Sequence, residues 1–204
     1  MSPSVQESDA RSTIDEIFAM LHAQGAADYM GEPVSQLEHC LQSAALAQAA
    51  SADTETIIAS LLHDIGRFIP AAQKVAQFIE NGKYLGRASH DILGERFLRE
   101  VGFSEKVCQL VGSHVVAKRY LCATEEGYWE GLSKTSKRTL EYQGGKFSDD
   151  EVRQAEADPW LKEKVAVRRW DDLAKESGAV TPPLEAYREM AVECLLASRK
   201  ASRV

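Results

Sequence analysis

Residues 54–66 read TETIIASLLHDIG, and this stretch decides the fold. Its apolar residues follow one another almost without a break and lead into the adjacent pair His63 and Asp64. Burying a histidine beside a carboxylate at the end of an apolar helix costs free energy unless both groups find partners. A metal ion would remove that cost, so the pair is a candidate set of metal ligands.

The remainder of the chain is also predicted to be helical, because no segment shows a sustained alternation of β-branched and polar residues. We expect a single all-α domain over residues 11–204, after a disordered N-terminal stub over residues 1–10. Besides the helix that contains the quoted stretch, helices are predicted over residues 12–24, 34–50, 71–81, 87–101, 104–122, 133–143, 150–157, 160–175 and 183–200.

The composition excludes several classes of protein. Hydrophobic residues make up 44% and charged residues 27% of the 204 residues, which is ordinary for a globular domain and not for a disordered or collagen-like chain. The net charge of −7 argues against nucleic acid or an anionic membrane as the main partner, because both attract basic surfaces. The four cysteines lack C-x-x-C spacing, and the sequence shows neither a signal-peptide pattern nor a membrane-spanning apolar run, so we expect a cytoplasmic protein with reduced thiols.

Four of the five histidines are predicted to lie on successive helices: His39, His63, His90 and His114. Any one of them alone is more simply explained by a hydrogen bond in the core. As a set with carboxylates, they offer the nitrogen and oxygen ligands that iron, manganese and zinc prefer. His22 lies outside this pattern, and we interpret it as structural or exposed.

This arrangement resembles the HD-domain superfamily, over about residues 28–175. His39, the pair His63 and Asp64, and a distal aspartate match the four ligands that hold a metal ion inside the helical bundle of that family. The HD pair by itself is only moderately specific, because most members of the superfamily hydrolyse phosphate esters.

The distal aspartate has two adjacent candidates, Asp171 and Asp172. The resembling enzymes carry an R-x-x-D motif, which Arg168 and Asp171 match, and a helix places these two residues on one face. We therefore predict Asp171 as the ligand and Asp172 as a solvent-facing residue.

Two further histidines make the resemblance more specific. His90 and His114 match the ligands of a second metal ion in the diiron branch of the superfamily, which contains myo-inositol oxygenase and the hydroxyphosphonate oxygenases. In that branch Asp64 would bridge the two ions. The resemblance implies an HD-type helical bundle that holds two iron ions as an Fe(II)/Fe(III) pair.

A polar stripe is predicted on the helix over residues 133–143. Ser136, Thr139 and Gln143 are spaced i, i+3 and i+7, which places them on one helix face. An exposed polar face would explain the stripe by itself.

Two cations are spaced so that their charges reach the predicted metal ligands. Lys118 follows His114 by one helical turn, and Arg168 precedes Asp171 by one turn. Cations and hydroxyl groups beside two metals suit a tetrahedral oxyanion. The hydroxyphosphonate oxygenases hold the phosphonate with residues at matching positions, so the resemblance implies this role for Lys118, Ser136, Thr139, Gln143 and Arg168.

The loop before His39, DYMGEP over residues 28–33, also resembles these enzymes. The resemblance implies that Tyr29 ligates the resting iron and that Glu32 meets the amine of the substrate. One position departs from the family, because the phosphonate enzymes often read H-D-x-G-H and this chain has Arg67 at the last position. We predict that Arg67 contributes to substrate binding in a changed pocket.

The resemblance implies oxidative cleavage of a carbon–phosphorus bond with O2. We expect the substrate (R)-1-hydroxy-2-(trimethylammonio)ethylphosphonate, supplied by a separate C1-hydroxylase, and the products glycine betaine and phosphate. One alternative is the same reaction on 2-amino-1-hydroxyethylphosphonate, which gives glycine and phosphate. The other is hydrolysis of a phosphate ester by the same metal ligands.

The choice of the trimethylated amine rests on two observations. Arg67 departs from the motif of the enzymes that act on the primary amine. Aromatic rings can hold a quaternary ammonium ion, although each ring is individually more simply a core residue. The candidate rings are those of Tyr29, Phe68, Tyr120, Tyr128 and Trp129.

Overall fold

The structure, a computed structural model, describes residues 5–29, 32–70, 77–80, 83–87 and 89–201. The predicted all-α class is confirmed, with one small β-hairpin added. No helix in the described part of the chain has both the length and the apolar character needed to cross a bilayer. The elements are α1 (Val5–Gln24), α2 (Gln36–Ala49), α3 (Thr54–Leu62), β1 (Gln77–Glu80), β2 (Lys83–Arg87), α4 (His90–Val101), α5 (Glu105–Gly112), α6 (His114–Thr124), α7 (Tyr128–Gly131), α8 (Lys134–Tyr142), α9 (Asp149–Glu156), α10 (Leu161–Leu173) and α11 (Arg188–Ala201), with short 3-10 helices at Ile65–Arg67 and Leu184–Tyr187.

Helix α3 lies at the centre of the bundle. Every residue over 56–62 is buried, and the helix packs against α2, α5, α10 and α11. A helix that is apolar around its whole circumference needs neighbours on every side, and those four helices provide them. The fold is therefore built around the stretch that ends in His63 and Asp64.

Hydrogen bonds at the helix starts fix the two helices that lead into the site. Ser35 caps α2 reciprocally, because its hydroxyl accepts from the N–H of Glu38 while the Glu38 carboxylate accepts from the N–H of Ser35. Asp53 caps α3 by accepting from the N–H of Thr56. These caps set where each helix begins, and so they set the position of His39 one turn into α2.

Helix α1 begins at Val5, earlier than the sequence predicted. Residues 5–10 are therefore helical, and the disordered stub expected over residues 1–10 does not include them. Ala10 is fully buried in the core, and Arg11 forms an ion pair with Glu189 of α11. Packing of α1 against α11 gives this segment a partner that the local sequence does not reveal.

The segment predicted as a helix over residues 71–81 contains a strand instead. β1 pairs antiparallel with β2, so the prediction is wrong for residues 77–80, and residues 71–76 lie outside the described residues. The prediction took Asn81-Gly82 as a helix stop. The same dipeptide is the strongest short signal for a two-residue hairpin turn, and that signal competes with the helical one here.

A close approach of two backbones makes Gly66 a test of this packing. A Cβ atom there would overlap the carbonyl oxygen of His90 and lie 2.7 Å from the backbone nitrogen of Gly94. We predict that Gly66→Ala lowers the free energy of unfolding by about 2–3 kcal/mol, measured by urea denaturation of the metal-free protein. Gly131→Ala is the control, since nothing lies within 4 Å of a Cβ atom built there. Equal losses in the two variants would contradict the prediction.

Candidate metal centre

Three buried side chains from different parts of the bundle meet in a first group. His39 lies on α2, His63 directly follows α3, and Asp171 lies on α10. The Nε2 atoms of the two histidines are 3.0 Å apart. Oδ1 of Asp171 is 3.2 Å from Nε2 of His39 and 3.9 Å from Nε2 of His63. These three atoms are close enough together to hold one metal ion.

A second group of three lies beside the first. His90 is the first residue of α4, His114 is the first residue of α6, and Asp64 follows His63 at the end of α3. The Nε2 atoms of His90 and His114 are 2.9 Å apart. Oδ1 of Asp64 is 3.2 Å from the first and 3.9 Å from the second. All three side chains are buried, so this group can also hold one metal ion.

Asp64 faces both groups, with one carboxylate oxygen toward each. Its Oδ1 belongs to the second group, whereas its Oδ2 is 3.8 Å from Nε2 of His63 and 4.0 Å from Nε2 of His39. Oδ2 accepts no hydrogen bond from any residue that the structure describes. A buried carboxylate oxygen without a donor is costly, and a cation in each group would satisfy both oxygens. This geometry fits a bridging carboxylate.

Backbone carbonyls orient the histidine rings. The Nδ1 atoms lie 2.8–3.0 Å from carbonyl oxygens, which only accept, so each Nδ1 carries the hydrogen and Nε2 keeps a lone pair. Two lone pairs that face each other at 3.0 Å repel unless a cation lies between them. The three hydrogen bonds from Nδ1 to a carbonyl oxygen join His39 to Ala174, His63 to Ser60, and His114 to Val111.

The electrostatics favour neutral His63 and His114 and charged Asp64 and Asp171, which are the forms that bind metals. Burial lowers the pKa of His114 well below its usual value. Burial alone would raise the pKa of Asp64, but Arg67, His63 and His90 together outweigh it and hold that pKa well below the usual range. The pKa of Asp171 is low for the same reason, with Arg168 as the main opposing charge.

The donor set fits two first-row metal ions. Each group offers two imidazole nitrogens and one carboxylate, ligands that iron, manganese and zinc accept. No cysteine belongs to either group. Cys40, directly after His39, is fully buried, and burial together with the charge of Asp64 raises the pKa of its thiol well above the usual value.

Tyr29 lies at the edge of the first group. Its ring stacks on His39 with 3.7 Å between the centroids, and its hydroxyl is 3.4 Å from Oδ1 of Asp171. Glu32, predicted to act from the same loop, is half-buried and donates its backbone N–H to the carbonyl of Tyr29. The structure therefore brings Tyr29 to the ligands and connects Glu32 to them only through the loop.

The predicted anion-binding residues are brought together in part. Lys118 is 3% exposed and donates to the Thr139 hydroxyl at 3.1 Å, so α6 and α8 meet at this point. Arg168 is buried and donates to Oδ2 of Asp171 at 2.7 Å. Burial, followed by the nearby charge of Arg168, lowers the pKa of Lys118 to about 7. Arg168 therefore contacts a ligand of the first metal group, and the amine of Lys118 lies close enough to Arg168 and Asp171 for their charges to act on it.

The other two members of the polar stripe are half-buried, with Ser136 on α8 and Gln143 directly after it. Ser136 bonds locally to Ser133, which caps the helix. The side-chain oxygen of Gln143, just past the end of α8, is buried and has no hydrogen-bond donor among the described residues. The described contacts of these residues do not extend to either metal group.

Arg67 lies at the second metal group. Its Nε is 2.8 Å from Oδ1 of Asp64, and its Nη2 is 3.2 Å from Nε2 of His90. Its guanidinium also lies 5.7 Å from the centroid of the Tyr29 ring. The residue predicted to contact substrate is thus placed against the metal ligands themselves.

The prediction that Asp172 faces solvent is wrong. Asp172 accepts from two nitrogens of Arg168 and from the hydroxyl of Tyr128. The spacing of four residues between Arg168 and Asp172 on one helix is a signal that sequence reasoning could have used. Nothing in the local sequence reveals Tyr128, because it comes from α7.

Comparisons with known proteins agree with this geometry. The HD domain model matches residues 37–175. A hydroxymethylphosphonate dioxygenase of Gimesia maris is 37% identical over 183 residues, which cover 89% of this chain and 88% of that protein. A 1-hydroxy-2-(trimethylamino)ethylphosphonate dioxygenase (glycine-betaine-forming) of Leisingera caerulea is 34% identical over 180 residues, 88% of this chain and 89% of that protein. An uncharacterized protein of Acanthamoeba polyphaga mimivirus is 34% identical over 182 residues, 89% of this chain and 81% of that protein.

The two variants Asp64→Ala and Asp171→Ala should differ in metal content. We predict that Asp64→Ala loses both metal ions, because each of its oxygens faces one group. Asp171→Ala should keep the ion of the second group. The measurement is iron per chain by elemental analysis after loading with iron and removal of the excess, with circular dichroism to check folding. Retention of two irons by Asp64→Ala would contradict the shared carboxylate.

Proposed function

The chain belongs to the HD-domain family, and we propose that it is an oxygenase that cleaves the carbon–phosphorus bond of a small 1-hydroxyphosphonate with O2. One observation carries the proposal: Asp64 faces two buried ligand groups, and the buried guanidinium of Arg168 bonds to the ligand Asp171 with the buried amine of Lys118 nearby. The near-full-length similarity to two phosphonate dioxygenases supports the same class of chemistry.

The six ligands of the two groups would hold two iron ions, which supply the redox chemistry that an O2-dependent oxidation needs. Zinc suits the same ligands but undergoes no redox change. The proposed oxidation therefore selects iron over zinc, and the Fe(II)/Fe(III) pair implied by the resemblance is part of the proposal.

Lys118, Thr139 and Arg168 would hold the phosphonate. Lys118 and Thr139 already form a donor–acceptor pair, and Arg168 contacts the metal ligand Asp171. A dianion bound by both cations therefore lies beside the first metal group. Hydrogen bonds to charged groups contribute about 1.5–3 kcal/mol each. Ser136 on α8 and Gln143 directly after it are proposed to complete the set.

Tyr29 is proposed as the group that the substrate displaces from the first metal group. Its hydroxyl lies next to Asp171 and its ring covers His39, so it occupies the space beside the first group. Burial, reinforced by Asp171 and Asp64, raises the pKa of Tyr29 and keeps the phenol protonated. In the two amine-bearing candidates, Glu32 would approach the amine from the same loop.

The far end of the substrate distinguishes the candidate compounds. The guanidinium of Arg67 lies over the Tyr29 ring, which is where a quaternary ammonium ion would sit. Phe68 is 1% exposed in the core, and Trp129 is 48% exposed and faces Lys137. Phe68 and Trp129 therefore have other surroundings than the metal groups, and a second cation beside Arg67 would be repelled. We therefore favour hydroxymethylphosphonate, and the trimethylammonium compound stays a prediction.

The overall reaction balances for this substrate. Hydroxymethylphosphonate and O2 would give formate, phosphate and one proton as the C1–P bond breaks. O2 takes up all the electrons that the carbon loses, so no further reductant is required. A separate C1-hydroxylase would supply the substrate, because the C1 hydroxyl must be present before this step.

The proposal predicts phosphate release that requires both iron and O2. Iron-loaded protein is assayed separately with hydroxymethylphosphonate and with the trimethylammonium and primary-amine compounds, and phosphate and O2 are quantified. We expect equal amounts of phosphate formed and O2 consumed, fastest with hydroxymethylphosphonate. Faster turnover of the trimethylammonium compound would restore the prediction from the sequence. Phosphate release from p-nitrophenyl phosphate without O2 would favour the phosphohydrolase alternative.

The lowered pKa of Lys118 predicts that anion binding weakens with rising pH. Above about pH 7 the buried amine is mostly neutral, so a bound dianion must draw in a proton, and affinity falls by up to about tenfold per pH unit. Lys118→Arg stays charged and lacks this dependence. The measurement is phosphate affinity of both proteins between pH 6.5 and 8.5, taken as a ratio so that the ionisation of phosphate cancels. A constant ratio would refute the prediction.

A further inference from the structure

Arg168 is buried and held along one edge of its guanidinium. Its Nε lies 3.1 Å from Oδ2 of Asp172, and its Nη2 bonds to Oδ1 of the same carboxylate. This two-point contact fixes the plane of the guanidinium. A single charge pair would leave the group free to rotate, whereas this pair sets its direction.

Tyr128 closes the arrangement from a different helix. Its hydroxyl donates to Oδ2 of Asp172 and accepts from Nε of Arg168 at 3.1 Å. Tyr128 is the first residue of α7, and Gly127 before it has φ +80°, a left-handed conformation that favours glycine. This turn lets α7 present the hydroxyl to α10, so a second helix holds both Oδ2 of Asp172 and Nε of Arg168.

The remaining donors of Arg168 point away from this edge. Nη1 donates to Oδ2 of Asp171. A guanidinium has five N–H groups, and the contacts within the described part of the chain use one on each nitrogen. One N–H therefore remains on each terminal nitrogen and can donate to an oxyanion.

The arrangement also protects the metal ligand Asp171. Oδ1 of Asp171 belongs to the first metal group, and only Oδ2 contacts Arg168. Without Asp172, the guanidinium could rotate and pair with both oxygens of Asp171. The contact with Asp172 limits Arg168 to a single bond with Asp171 and leaves its other donors for an anion.

We propose that Asp172 and Tyr128 are positioning residues that aim Arg168 at the phosphonate, an inference that rests on the proposed function. Neither residue needs to touch the substrate or a metal. Their effect passes through Arg168, so it should vanish when Arg168 is absent. A residue that only stabilises the fold would act regardless of Arg168.

The test is a mutant cycle read by phosphate binding. Inorganic phosphate is titrated into iron-loaded wild type, Asp172→Asn, Tyr128→Phe, Arg168→Ala and the double variant Asp172→Asn/Arg168→Ala. We expect affinity to fall about tenfold in Asp172→Asn and about threefold in Tyr128→Phe, with no further loss from Asp172→Asn once Arg168 is alanine. Iron content should be unchanged in Asp172→Asn and in Tyr128→Phe, and their turnover at saturating substrate should change by less than about twofold.

The control is Asp150→Asn, which removes a surface carboxylate, 79% exposed, that pairs with Arg153 three residues on. It should leave phosphate affinity unchanged. The inference would be overturned if Asp172→Asn lowered phosphate affinity equally with and without Arg168. It would also be overturned if Asp172→Asn and Tyr128→Phe both kept wild-type affinity, or if either of them lost iron. If Asp172→Asn does not fold, Tyr128→Phe and its combination with Arg168→Ala decide the question.

This readout separates the inference from the proposed function. Phosphate binding requires no turnover, so a protein that cleaves none of the three phosphonates can still show the Arg168-dependent loss. That result would reject the reaction and keep the positioning role. A wild-type protein that does not bind phosphate would overturn both.

Discussion

Lone pairs that face one another in a buried space are the constraint on which the rest of this structure depends. Backbone carbonyls fix the Nδ1–H groups, so the Nε2 atoms cannot turn away from each other. Only cations make this arrangement favourable, and the bundle must hold its ligands rigidly around them. His63, His90 and His114 accordingly lie at helix boundaries, where the chain changes direction and the backbone position is fixed by packing.

The metal ligands could be predicted because their residue types are rare and their order along the chain is distinctive. Few histidines occur, and one of them is joined to an aspartate at the end of an apolar run, so little else competes with the metal interpretation. The anion site could be predicted less completely. Helical spacing tells which residues share a face, but not how near that face lies to another helix. Lys118 and Thr139 are in contact, whereas Ser136 forms only local bonds.

The remaining features depend on partners that are distant in sequence. Asn81-Gly82 is compatible with the end of a helix and with a hairpin turn, and the local sequence does not reveal that residues 77–80 pair with residues 83–87. Asp172 is predicted to face solvent because the R-x-x-D motif of the resembling enzymes assigns the ligand position to Asp171. The hydroxyl of Tyr128, 44 residues away, donates to the Asp172 carboxylate and so holds it inside the structure. Aromatic residues near the motifs suggested a cation box, yet burial in the core explains Phe68.

Cys40 bears on how long such a site can last. It lies next to His39 along the chain, and its surroundings raise the pKa of its thiol. The nucleophile that oxidants attack and soft metals bind is the thiolate. A thiol kept protonated chiefly by burial offers neither reaction. The dense packing that holds the ligands in place therefore also spares an oxidisable side chain beside them, and this gives a protein that handles O2 a measure of chemical durability.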